Sequence, residues 1–293
     1  MSLTTRRTAA ATLAGALVGA AGWASTLPAS ATLPVQPPRT RRPPRPLRRA
    51  HAHNDYEHPR PLHDALSHGF TSVEADIHLA DGRLLVAHDP QDLDPSRTLE
   101  ALYLRPLAAL VEAHHGTVFP GHRHPVQLLV DIKTQGAATY LALHRALHPY
   151  RRMLSTCRDG RVRPGAVTPV VSGDRAARAP MEAQRTRYAF YDGRLEDLGT
   201  AAPASFVPLI SSNWAESFTW AGEGPFPRAE RDRLHTLVRT AHRNGRRVRF
   251  WGTNDVPGPA RDALWRELLA AGVDHLNTDD LAALEKFLRT YDR

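Results

Sequence analysis

The sequence predicts an α/β protein, a single (β/α)8 TIM-type barrel with an extra β-hairpin after the second strand. Three observations carry this. Short apolar runs alternate with helical stretches from residue 48 onward. Eight of those runs read as strands, the number such a barrel needs. Polar residues suited to chemistry collect at the ends of the first three, where barrels of this kind place their active sites.

In order, residues 49–53 read as strand one and 61–68 as a helix. Strand two covers 72–77, and the turn dipeptide Asp81-Gly82 joins it to an extra strand at 83–87. A helix at 99–113, strand three at 127–132 and a helix at 137–147 follow. Strands four to six are read at 169–172, 188–191 and 208–211, in the least patterned part of the chain. The closing units are clear: helix 228–243, strand 247–251, helix 260–271, strand 275–278 and helix 279–290.

Charge is unevenly distributed. Eight of the 38 Lys and Arg residues lie in the first 50 positions, which hold no acid, and the 30 that remain balance the 30 Asp and Glu. The formal charge of +8 thus belongs to the leader, and nucleic-acid binding loses its electrostatic support. Residues 1–31 read as an export signal: Arg6-Arg7, a weakly apolar Ala/Gly-rich stretch, then the small-residue pattern Ala29-Ser30-Ala31. Thr5-Arg6-Arg7 resembles a twin-arginine signal, although Ala9 stands where a bulky apolar residue is usual, which leaves the general secretory route open. The stretch is too short and too weakly apolar for a spanning helix to be expected. Residues 32–48 are Pro/Arg-rich and read as a semi-extended linker, with the barrel expected over 49–293 and the mature protein outside the cell. Cys157 is the only cysteine, so no internal disulfide is expected.

The most informative stretch runs from His51 to Asp89. Glu74 and Asp76, spaced i, i+2 on a strand, point the same way. His53-Asn54 ends strand one, His88 ends the hairpin, and Asp131 and Lys133 end strand three, so these groups converge on one mouth. Carried by these residues, positions 51–133 resemble the phospholipase C-like phosphodiesterase superfamily, which includes phosphatidylinositol-specific phospholipases C, glycerophosphodiester phosphodiesterases and sphingomyelinase D-type enzymes. Residues 245–280 resemble it more weakly. The HAHNDY opening is similar to that of a poorly characterised microbial and fungal subgroup. His53-Asn54-Asp55-Tyr56 is similar to the His-Asn-x-Tyr of eukaryotic phospholipases C.

The resemblance implies that His53 and His88 are catalytic, as base and acid, and that Glu74, Asp76, Asp131 and Asn54 are metal ligands. His51 remains an alternative to His53, and the asparagine that follows His53 favours the latter. An all-oxygen set suits one divalent cation, Mg²⁺ or Ca²⁺. Lys133 is expected to hold a phosphoryl oxygen or anchor Asp131, and Trp251, after strand seven, to lie near the substrate. The function this implies is a secreted phosphoric diester hydrolase acting, as a monomer, on a small-molecule or phospholipid diester of glycerol or inositol type, with transient contact with a membrane surface. Two alternatives stand beside it: an amidohydrolase-type metal barrel on His51 and His53, and a non-catalytic binding barrel. The first lacks the later strand-end histidines it would need, and the second leaves the complete set of site residues unexplained. The aromatic-rich segment 205–228 is read as a pinned cover over the barrel.

Overall fold

The computed structural model describes residues 44–292. The export signal expected at 1–31, and most of the linker expected at 32–48, lie outside the described residues. Twelve strands are present among the described residues. They are β1 (Leu47–Ala52), β2 (Phe70–Ala80), β3 (Arg83–Val86), β4 (Val126–Ile132), β5 (Thr156–Arg158) and β6 (Arg161–Arg163), then β7 (Val167–Gly173), β8 (Thr186–Arg187), β9 (Phe190–Gly193), β10 (Leu209–Asn213), β11 (Arg247–Trp251) and β12 (His275–Thr278). Eight of them pair in parallel in the order β1-β2-β4-β7-β9-β10-β11-β12, and β12 pairs back onto β1. That closes the barrel and leaves no free edge in it. β3 hangs on β2 as the expected antiparallel hairpin, turned by Asp81 (φ 48°) and Gly82 (φ 73°). The helices are α1 (His63–Ser67), α2 (Arg105–Ala113), α3 (Gly136–Leu147), α4 (Arg178–Glu182), α5 (Trp214–Ser217), α6 (Arg228–Arg243), α7 (Pro259–Ala271) and α8 (Leu281–Tyr291).

Strand alternation explains how one chain builds both a shell and a site. On β2, Val73, Ala75 and Ile77 join the core between barrel and helices, while Ser72, Glu74 and Asp76 face the lumen. The lumen itself is divided. One side is apolar, with Leu129, Val170, Phe190 and Leu209 packed over Cys157. The other side is polar, built from His51, Ser72, Glu74, Gln127, Arg249 and Asn277, all buried. The aromatic residues of 205–228 pack together in the core between barrel and helices: Trp214 stacks on Phe218 at 4.1 Å, Trp220 on Phe226 at 4.4 Å, and Trp214 meets Phe250 edge-on.

Three differences from the sequence reading have physical causes. Strand one begins at Leu47, two residues earlier than expected and inside the segment read as linker. The helix read at 99–113 starts as a wide π-type turn over Glu100–Leu104, because Pro106 has no N–H to continue the α-ladder. The fifth barrel strand is shifted, running from Phe190 to Gly193 instead of 188–191. The preceding Thr186–Arg187 is drawn into a separate antiparallel sheet of order β6-β5-β8, which the sequence reading did not foresee.

Candidate active site

The parallel pairing of β2 with β4 sets Asp76 level with Asp131. One oxygen from each of Glu74, Asp76 and Asp131 lies within 4.8 Å of the others. Glu74 and Asp76 are 4% and 1% exposed. Like charges held this close in a buried place need compensation. Glu74 receives it through Oε2, which accepts from His51 Nε2 at 2.9 Å and from Arg249 Nη2 at 2.5 Å. Burial alone would raise the Glu74 pKa, but Arg249 and His51 hold it well below the usual carboxylate range. Asp76 is less well compensated. Burial and the Glu74 charge push it up to about 6, against the opposing pull of Lys133 Nζ at 2.8 Å. Tyr56 donates its hydroxyl to Asp76 Oδ2 at 2.8 Å, and Asp76 Oδ1 is buried with no hydrogen-bond partner among the described residues. Asp131 Oδ1 lies 3.6 Å from Lys133 Nζ, and burial raises its pKa.

The two histidines of strand one have separate fates. His51 is wholly buried, and both its ring nitrogens are engaged. Gln127 donates to Ser72 Oγ at 2.9 Å, Ser72 donates to His51 Nδ1 at 2.7 Å, and His51 Nε2–H donates to Glu74. Burial first, then the Arg249 charge, lowers the His51 pKa to about 4, so the ring is neutral. The expectation of His51 as an alternative catalytic residue is corrected here: its ring has no free face and holds Glu74 in place. His53 lies just past β1, where its backbone N–H bonds Thr278 O at 3.0 Å. Its Nδ1 donates to Asp279 Oδ1 at 2.9 Å and leaves Nε2 as the free nitrogen, on a side chain 29% exposed. Burial lowers its pKa, but the Asp279 hydrogen bond and the Glu74 charge outweigh that and raise it. His88 stands more open, with Nδ1 3.2 Å from Asp89 Oδ2.

A cleft of about 200 Å³ at the C-terminal ends of the strands brings together the three carboxylates, Asn54, His53, His88, Lys133 and Trp251. Every sequence-predicted site residue except His51 lines it. A larger cavity, about 660 Å³, opens at the opposite end of the barrel beside Arg247 and His275, away from the carboxylates. The smaller cleft holds the convergent carboxylates, histidines and cationic side chains.

Sequence reasoning missed four contributors. Arg249 neutralises Glu74, and Asn277 fixes it by accepting from its Nε at 2.8 Å. Its signal was available, since an arginine in the middle of the buried strand RVRFW demands an acid inside the barrel. Arg194 reaches the cleft just past β9, bonded to Asp192 at 3.0 Å beside Ser172, and the register shift of that strand concealed it. Asp279 reads from the sequence only as the start of the last helix, and the closing of β12 on β1 brings it to His53. Gly173, at φ +78°, leaves room for Asp131, because a Cβ there would lie 2.2 Å from Asp131 Oδ1.

The residues fit a divalent cation. Asp76 Oδ1 lacks any partner, and Glu74 Oε1 makes no hydrogen bond among the described residues. The donor set is all oxygen, as hard cations prefer. Lys133 and Arg249 offset part of the negative charge, so the set favours a single ion.

Comparison with known proteins gives the class. The family model of the AIM6-like phosphodiesterase domain matches residues 45–192, and that of the glycerophosphoryl diester phosphodiesterase family matches residues 247–282. The altered inheritance of mitochondria protein 6 of Eremothecium gossypii is 31% identical over 279 residues, covering 82% of this chain and 69% of its own. A homolog from Arthroderma benhamiae is 29% identical over 261 residues, covering 81% and 82%. The chain therefore belongs to the AIM6-like phosphodiesterase domain family. Among solved structures, a glycerophosphoryl diester phosphodiesterase from Parabacteroides distasonis aligns with TM-score 0.47 and 15% identity over 85% of this chain and 87% of its own. A phosphatidylinositol-specific phospholipase C from Listeria monocytogenes aligns with TM-score 0.46 and 8% identity over 83% and 84%. At those scores the barrel assignment stands on this chain's own strand pairing.

Proposed function

We propose that this protein is a metal-dependent phosphodiesterase that cleaves a glycerol- or inositol-type phosphodiester by acid-base catalysis. The observation that carries this is the convergence, in one cleft, of three carboxylates, a histidine held in one tautomer by Asp279, and the cation Lys133. His53 Nε2 takes the proton from a substrate hydroxyl next to the phosphate. That oxygen forms a bond to phosphorus while the bond to the leaving oxygen breaks, and His88 gives its proton to the leaving oxygen. Asp279 keeps Nδ1–H through the step and stabilises the imidazolium that forms. The tethered hydroxyl needs no encounter step, which favours the attack. Lys133 and Arg194 hold phosphoryl oxygens as point charge and planar fork. Mg²⁺ or Ca²⁺ held by Glu74, Asp76, Asp131 and Asn54 would supply neutralisation of the charge that develops on those oxygens. A neighbouring hollow of about 470 Å³ shares His88 with the cleft and offers room for the leaving group.

A panel of glycerol and inositol phosphodiesters, assayed with Mg²⁺ or Ca²⁺ and with chelator, tests this. Turnover lost with EDTA and in Glu74→Gln is expected. Turnover that survives both would overturn the metal role, and no turnover of any diester would favour a binding barrel. The reading extends to location: the leader supports an enzyme acting outside the cytoplasm. N-terminal sequencing of exported protein is expected to begin near Thr32, and an uncleaved cytoplasmic product would refute it.

A further inference from the structure

The connections from α3 to β7 and from α4 to β9 cross the N-terminal face of the barrel, opposite the cleft. There β6, β5 and β8 form their small antiparallel sheet. Alternation sorts its side chains. Cys157 points inward and packs with Leu129, Val170, Phe190 and Leu209, so its neighbours Thr156 and Arg158 point outward. Pairing sets Arg161 opposite Arg158 and Arg163 opposite Thr156, on the same outer face. The tight turn Asp159 (φ 49°)–Gly160 (φ 77°) keeps that hairpin rigidly short. Arg151 and Arg152, from the turn after α3, complete the rim.

Five arginines thus line one hollow of about 510 Å³, and no carboxylate lines it. Among the described residues, Arg158 alone of the five has a carboxylate within 4.0 Å, Asp159 at 3.9 Å, and Asp159 is held more closely by Arg185 at 2.9 Å. Arginines directly opposite one another on paired strands repel and cost stability. A concave surface of one sign concentrates counter-ions, and guanidinium forks match phosphate oxygens two at a time. The arrangement is costly as scaffold and well suited to a multiply charged oxyanion.

We propose that this hollow binds a polyphosphate-type anion, either free in solution or displayed as a phosphomonoester headgroup on a membrane surface. It is separate from the cleft and does not depend on the chemistry assigned there. The test uses the full chain and the variant Arg158→Gln/Arg161→Gln/Arg163→Gln. All three side chains are exposed, and an unchanged melting temperature would show that the variant folds. One arm measures inorganic tripolyphosphate by calorimetry. The other measures sedimentation with phosphatidylcholine vesicles, with and without phosphatidic acid, a monoester that a diesterase does not cleave. Binding weakened at least about tenfold in the variant supports the site, since the three guanidinium contacts to the anion are charge-assisted. The arm that responds identifies a soluble or a membrane source. No binding in either arm, or binding that the variant leaves intact, overturns it. Tighter binding of a duplex oligonucleotide than of tripolyphosphate also overturns it, in favour of a nucleic-acid surface.

Discussion

The two oxygens of Glu74 have different environments, and the difference separates structure from chemistry at the cleft floor. Oε2 is committed to His51 and Arg249, while Oε1 makes no hydrogen bond among the described residues. His51→Ala should therefore act as a structural lesion. It leaves Ser72 and Glu74 short of a partner and opens a cavity, costing about 2–4 kcal/mol, read as a lower melting temperature. His53→Ala should lower turnover about 10²–10⁴-fold with little change in melting temperature. Equal thermal loss in the two would refute this division. Asp76 adds a pH signature. Its folded pKa of about 6 lies above the ordinary value, so without a cation the folded chain keeps a proton that the unfolded chain releases. Its contribution to stability falls as pH rises between about 4 and about 6. His51 has the opposite sign, because its folded value of about 4 lies below 6.5, and its contribution grows over that window. The cation-dependent increment reports the two raised ligand carboxylates, Asp76 and Asp131. Added Mg²⁺ or Ca²⁺ should raise the melting temperature clearly above pH 7 and weakly at pH 5, where the proton competes. An increment independent of pH would separate the raised carboxylates Asp76 and Asp131 from the ion.

At the scale of elements, β2, β4 and β7 act as one unit. β2 carries the acid pair, β4 brings Asp131 level with Asp76, and β7 ends at Gly173, whose left-handed backbone makes room for the Asp131 carboxylate. Gly173→Ala should be harmful twice over. Backbone strain at φ +78° costs about 1–3 kcal/mol, and the new methyl group collides with Asp131 Oδ1. The expected outcome is a lower melting temperature together with a weaker response to added cation. A variant that lost stability but kept the full cation response would show that Asp131 is not a ligand. The two hairpins show how local chemistry sets element shape: Asp81-Gly82 and Asp159-Gly160 use the same turn, yet only the first joins strands long enough to stand out in the sequence.

Across the whole molecule, the Arg249–Glu74 pair ties β11 to β2 through the lumen. Breaking it from one side strands a buried charge. Arg249→Met should cost about 3–5 kcal/mol, and Glu74→Gln in the same chain should return part of that loss. Thermal denaturation of the two single variants and the double variant measures the coupling, and strictly additive losses would refute it. The barrel also has chemically distinct ends, with the carboxylate cleft at the C-terminal end and an arginine-lined hollow at the N-terminal face.

The sequence by itself determined the barrel class, the β2–β3 hairpin, the closing strand-helix units and most of the cleft. Those features rest on periods and turns that act over a few residues, and on strand ends that all emerge on one face. Only the tertiary structure decided which strand-one histidine meets the cleft, where strand five begins, and how Arg249, Arg194 and Asp279 enter the site. Each of these depends on register and closure: Arg249 meets Glu74 across 175 positions, and Asp279 meets His53 across 226. No local pattern encodes a hydrogen bond over such a separation. It forms when the last strand pairs with the first.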